Sequence, residues 1–214
     1  MGRRTQVSIR DYTDLNSLQL DALKEIGSIG AGNAATSLSS LLNRRIEIGL
    51  PEIKIMEYNE AIESLGGPEM IVAGVMRKLS GEINGIGLYI LSIDFINIVL
   101  ESIFNKKIES FEELGEMEIS ALTEIGNIII ASYVNPMSAM TNTKVNISMP
   151  ATTINMLGGI LSVPMIEYGY QTNHIMTISG NFKCDDREVY SNLILVPDVK
   201  SLNYILKELG INND

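Results

Sequence analysis

The sequence predicts an α+β fold: two pseudo-symmetric helix–strand–strand–strand–helix halves that share a largely antiparallel sheet with packed helices. Three observations predict it. The chain repeats itself internally, each half switches from helical to strand periodicity, and the strands are joined by short turns that favour antiparallel pairing.

The repeat is read directly. Asp21-Ala-Leu-Lys-Glu-Ile-Gly-Ser28-Ile29 returns as Ser120-Ala-Leu-Thr-Glu-Ile-Gly-Asn127-Ile128, an offset of 99 residues (120 minus 21). The same offset carries Pro51 onto Pro150 and Ser80-Gly81 onto Ser179-Gly180. Beyond that point the register slips by about five residues, as a loop insertion would cause. Tyr89-Ile-Leu-Ser-Ile-Asp94 then matches Leu193-Ile-Leu-Val-Pro-Asp198.

Each element follows from its pattern. Leu20, Leu23, Ile26, Ala34, Leu38 and Leu41 fall at steps of three or four, apart from a wider gap across the glycines, and place a helix from Ser17 to Leu42. Asn43-Arg44-Arg45 closes it. Ile46 to Leu50 alternates as a strand and Pro51 stops it. Met70 to Met76 and Glu82 to Leu91 read as two further strands, with turns at Gly66-Gly67-Pro68 and Ser80-Gly81. Phe95 to Phe104 is an amphipathic helix. In the second half, Glu116 to Met140 is the helix, with an end or kink expected at Asn135-Pro136. Lys144 to Ser148, Ile160 to Tyr168, Ile175 to Lys183 and Tyr190 to Val196 read as strands, and Leu202 to Leu209 as the last helix. The expected organisation is an N-terminal tail over 1–15, then one domain over 16–214 made of half-repeats at about 16–114 and 115–214.

Composition narrows the function classes. The 214 residues are 45% hydrophobic and 20% charged, which excludes wholesale disorder. With 26 acidic and 16 basic residues the formal net charge is −10. That disfavours sequence-independent binding to nucleic acid and suits a basic partner surface. One cysteine, Cys184, and one histidine, His174, exclude a Cys/His zinc cluster and an intramolecular disulfide. The uncharged run Val145–Ile166 is long enough for a membrane span, but Asn146, Pro150, Asn155, Gly158, Gly159 and Pro164 interrupt it, so it reads as buried strands and turns. No apolar run follows Met-Gly-Arg-Arg as in a signal peptide, and Gln6 breaks a myristoylation pattern. A cytoplasmic location is expected.

The duplicated helices carry the candidate chemistry. Glu124 and Asn127 lie three residues apart on one helix face, and Ser120 extends the same stripe. A carboxamide both donates and accepts, so it can hold a water; a carboxylate can pair with a partner's lysine. One Glu-x-x-Asn alone is most simply a solvated face. The repeat changes the weighing, because Asn127 precedes Pro150, and Ser28 precedes Pro51, by the same 22 intervening residues.

The pattern Asp/Ser-x-x-x-Glu-x-x-Asn, 22 residues, Pro resembles the signature of the CheC / CheX / FliY family of chemotaxis phosphatases. Ser120, Glu124, Asn127 and Pro150 match it in full. Asp21, Glu25 and Pro51 match it in the first half, where Ser28 stands in place of the family asparagine. Glu25-Ile-Gly-Ser-Ile-Gly-Ala-Gly-Asn-Ala-Ala35 also looks like CheC, and the resemblance covers the chain from about residue 16. It implies a phosphatase that hydrolyses the aspartyl phosphate of phosphorylated CheY with no metal of its own, the Mg²⁺ belonging to CheY's active site. It implies that the glutamate contacts a CheY lysine and that the asparagine aligns water for in-line attack. The second site is then the main one. Ser28 is too short to reach the same point, and Ser28→Asn is expected to restore a site there. Two rival readings are a non-enzymatic regulatory partner of the receptor deamidase CheD, and a flagellar-switch-associated CheY-phosphate binder. The latter is disfavoured, since FliY-type chains carry an added C-terminal domain and this one ends at Asp214.

Other candidates have plainer explanations. Gly27 to Gly32 is not a phosphate loop and suits close helix packing. His174 stands alone, nothing beside Cys184 activates a thiolate, and Asp185, Asp186 and Glu188 read as a solvated acidic loop.

Overall fold

In the computed structural model, which describes residues 9–169 and 172–211, helix α1 (Ser17–Leu42) begins where Asn16 caps it. The Asn16 side chain accepts from the Gln19 backbone N–H, and the Gln19 side chain accepts from that of Asn16, both at 3.0 Å. The helix ends at Asn43, whose φ of 49° is the left-handed stop that asparagine tolerates. Strands β1 (Ile46–Ile48) and β2 (Glu52–Glu57), a short helix α2 (Tyr58–Ser64), strands β3 (Ile71–Gly81) and β4 (Gly85–Leu91), and helix α3 (Ile93–Phe104) complete the first half. The second half repeats the order: α4 (Glu116–Met140), β5 (Val145–Ile147), β6 (Ala151–Met156), α5 (Leu157–Tyr168), β7 (His174–Cys184), β8 (Arg187–Pro197) and α6 (Val199–Glu208).

Each half is therefore helix–strand–strand–helix–strand–strand–helix, richer than the periodicity suggested. Two expectations are corrected. Ile160–Tyr168 is helix α5, not a strand: an unbroken apolar run fits either element, and packing decides. Leu157, Ile160 and Leu161 bury themselves in one cluster with Val72, Leu88 and Ile194 of the sheet. Helix α4 spans Glu116–Met140 as its periodicity predicts, so of the end or kink expected at Asn135-Pro136 there is no end: the helix runs on through Pro136. The uncharged run Val145–Ile166 is divided among β5, β6 and α5, and among the described residues no helix is long and apolar enough to cross a membrane. Of the segment read as a tail, residues 1–8 lie outside the described residues. Ile9 and Tyr12 are buried, and the Tyr12 hydroxyl donates to the Pro197 carbonyl.

Among the described residues, eight antiparallel strands form one sheet, ordered β1-β7-β8-β4-β3-β5, with β2 also on the outer edge of β7 and β6 on that of β3. The halves thus exchange strands. β1 and β2 of the first half pair with β7 of the second, and β5 and β6 of the second pair with β3 of the first. One sheet face carries α1, α3, α4 and α6, and the other carries α2 and α5. No cut separates the halves without exposing paired strand edges.

The sheet register also corrects the repeat alignment. Thr152 of β6 pairs with Val75, and its counterpart Ile53 of β2 pairs with Ile178. β3 therefore matches β7 at an offset of 103 (178 minus 75), not 99. The insertion precedes β7, where α5 is 12 residues long against 7 for α2. Ser80-Gly81 corresponds to Lys183-Cys184, not to Ser179-Gly180.

Helix α4 lies against β3 at Gly126, where a Cβ would come within 2.4 Å of Val75 Cβ. Gly126→Ala is expected to force the helix off the sheet and cost about 1–3 kcal/mol, read as a lowered urea midpoint with the slope unchanged.

Candidate functional site

The two motif helices present different surfaces. On α4, Ser120 and Glu124 are exposed and Asn127 is partly buried. Asn127 Nδ2 donates to Glu124 Oε2 at 3.2 Å, so the pair that the spacing places on one face is also bonded. Thr123, one residue before Glu124, fixes the helix to the sheet: its hydroxyl lies 2.6 Å from that of Thr152 on β6.

The remaining partner of Asn127 comes from the other half. The Arg77 guanidinium of β3 donates from Nη1 to Asn127 Oδ1. Its Nε donates to the Ser148 carbonyl at 2.6 Å and its Nη2 to the Ile147 carbonyl at 3.1 Å. One planar fork thus joins the Asn127 carboxamide to the β5–β6 turn that ends at Pro150. Partial burial lowers the Arg77 pKa from its usual value, while the neighbouring Glu124 carboxylate pulls it back up. The guanidinium remains a cation, since an arginine does not lose its proton in a protein.

The first motif lacks this order. The Ser28 hydroxyl donates back to the Lys24 carbonyl at 2.9 Å, bonded within its own helix. Asp21 pairs with Lys24 at 3.0 Å, both side chains more than half exposed. Glu25 is exposed. Pro51 follows the β1–β2 turn as Pro150 follows β5–β6, and its ring lies 3.4 Å from where a Gly27 Cβ would stand. At the offset of 103, the place of Arg77 is held by Gly180 of β7. A Cβ there would meet nothing nearer than Gly49 O at 3.6 Å.

The sequence reading missed Arg77. It lies 50 residues from Asn127 in the opposite half, beyond any local motif. One signal was present: on the alternation of β3, Arg77 shares the face of the buried Ala73, Val75 and Leu79, where a charge needs a partner.

The remaining candidates are structural. Gly30 of α1 packs on Tyr133 of α4, with 2.6 Å between a hypothetical Cβ and the ring. Cys184 is buried, which pushes its thiol pKa up. His174 Nδ1 sits 3.0 Å from the Asp11 carboxylate. Asp185 pairs with Arg44 at 2.9 Å.

The duplicated segments match a known family: its model, described as the CheC-like family, fits residues 18–55 and 117–154. Both matched segments begin on the long helix of their half and reach into the second of the short strands after it. It is 26% identical over 203 residues, 93% of this chain and 97% of the other, to the Bacillus subtilis CheY-P phosphatase CheC. It is 29% identical over 143 residues, 66% of this chain, to the flagellar motor switch phosphatase FliY of B. subtilis, spanning 37% of that longer protein. The crystal structure of Thermotoga maritima FliY superposes with a TM-score of 0.71 at 20% identity, over 92% of this chain and 98% of that one.

The Thr123–Thr152 bond spans α4 and β6. Thr152→Val is expected to lower stability by about 1 kcal/mol in denaturant unfolding, because it leaves the part-buried Thr123 hydroxyl without its cross-element partner.

Proposed function

We propose that this chain is a phosphatase for the aspartyl phosphate of phosphorylated CheY, and that Glu124 and Asn127 form its main site. The supporting observation is the bonded pair of an exposed Glu124 and a partly buried Asn127, set against a Ser28 whose hydroxyl is turned into its own helix. The similarity to a CheY-P phosphatase over nearly the whole chain supports the reaction class.

The chemistry asks little of the phosphatase itself. Phosphoryl transfer depends on placing the nucleophile in line and on charge stabilisation, and in this reading the Mg²⁺ and phosphoaspartate sit in CheY. The Glu124 carboxylate meets a CheY lysine. That contact draws it from Asn127 Nδ2 and frees the carboxamide to hold a water. The water oxygen attacks phosphorus as the bond from phosphorus to the aspartyl oxygen breaks. The aspartate leaves as a carboxylate and the released phosphate keeps both hydrogens of the water. Fixing that water geometrically can account for several kcal/mol of the barrier.

The surroundings suit a protein substrate. Met117 lies seven residues before Glu124, two turns away on the same face, and is 69% exposed; Met149, beside Pro150, is 87% exposed. Large exposed apolar side chains next to a polar site are typical of contact surfaces. Leu18 and Leu50 hold the same places in the first half, at 60% and 88%.

In a phosphate-release assay with phosphorylated CheY, Asn127→Ala is expected to lose about 10²-fold or more in turnover while remaining folded. Full release by folded Asn127→Ala would overturn the assignment. No release by the unsubstituted chain above the hydrolysis of CheY alone, alongside tight capture of CheD, would favour the regulatory-partner reading.

The two carboxylates are expected to behave unequally. Glu124→Ala raises KM and lowers turnover, whereas Glu25→Ala leaves both nearly unchanged. Equal losses at the two positions would make the first half an active site despite its serine.

A further inference from the structure

We infer that Arg77 is a positioning residue for Asn127, so that the working site is built from both halves of the chain. The inference rests on the phosphatase reading above. A carboxamide turns about its last side-chain bond, and its two ends exchange donor for acceptor when it flips. Glu124 alone holds only the amino end, and it is the group that must leave when a lysine arrives. The Arg77 donor on Oδ1 stays. It fixes which end faces β3 and which faces the incoming phosphoryl group, and it leaves the second lone pair of Oδ1 available to the water. The same guanidinium holds the Ile147 and Ser148 carbonyls, so carboxamide and β5–β6 turn are aligned by one rigid group. A lysine could not replace it, since one ammonium cannot span three acceptors in a plane.

The first half shows what is absent without it. Gly180 stands at the corresponding register position, so that site lacks its fork as well as its asparagine. Ser28→Asn by itself would add a carboxamide with a carboxylate, Glu25, for its amino end and no donor to fix its oxygen. This revises the expectation drawn from the sequence, in which only the asparagine was missing.

The test measures phosphate release from phosphorylated CheY, with urea midpoints as a fold control. Arg77→Ala and Arg77→Lys are each expected to lower kcat by about 10- to 100-fold with little change in KM. In an Asn127→Ala background neither is expected to lower it further, because Arg77 acts only through that side chain. Ser28→Asn in the Asn127→Ala background is expected to restore nothing. Arg77→Lys keeps the charge and the aliphatic stem, and decides the matter if Arg77→Ala fails to fold. Unchanged kcat in folded Arg77→Lys, an additive loss with Asn127→Ala, or recovery by Ser28→Asn alone would each overturn the inference. If Asn127→Ala itself keeps full activity, the assignment of the Glu124–Asn127 site fails first; if Asn127→Ala is inactive and the Arg77 variants are not, only the role of Arg77 fails.

Discussion

The Arg77 guanidinium reaches from β3 to the Asn127 side chain and to two carbonyls of the β5–β6 turn, and it can do so only because the halves exchange strands. β5 and β6 lie along β3, so the turn before Pro150 comes beside a residue from the other half. A partly buried cation in that place needs several acceptors, and the last residue of β5 and the one after it supply two of them. The fork, the exchanged strands and the close approach of Gly126 to Val75 together set where the carboxamide stands.

Pseudo-symmetry without equivalence follows from the same constraint. The scaffold is kept in both halves: long helix, two short strands, proline after the turn, and an exposed apolar residue beside it. The polar groups are not. Ser28 bonds to Lys24 of its own helix and Gly180 offers no side chain, so the first motif retains a carboxylate, Glu25, with neither a carboxamide nor a guanidinium beside it. Duplication supplies two frames, and the side chains that fill them decide which one can work.

Much of this was legible in the residues. The long helices over Ser17–Leu42 and Glu116–Met140 match their periodicity to the residue, and the Glu-x-x-Asn spacing placed Glu124 and Asn127 within bonding reach. The short strands after Pro51 and Pro150 were passed over, because each proline read as an end when it also begins the next strand. Helix α5 was hidden by its own hydrophobicity: Ile160-Leu-Ser-Val-Pro-Met-Ile carries no period, and its glycines and proline argued against the helix that packing imposes. The insertion was placed too late because Ser-Gly occurs at 80–81 and again at 179–180 by coincidence of composition. Arg77 required the sheet register, a non-local fact.

In the proposed reaction the α4 face, set from across the sheet, is where a response regulator is met. The most direct measurement titrates beryllofluoride-activated CheY into the ¹⁵N-labelled chain and follows backbone and asparagine side-chain amides by NMR. The Asn127 side-chain NH₂ and the amides of residues 120–127 are expected to move first, with those of residues 21–28 undisturbed. Shifts centred on residues 21–28, or equal on both helices, would contradict it.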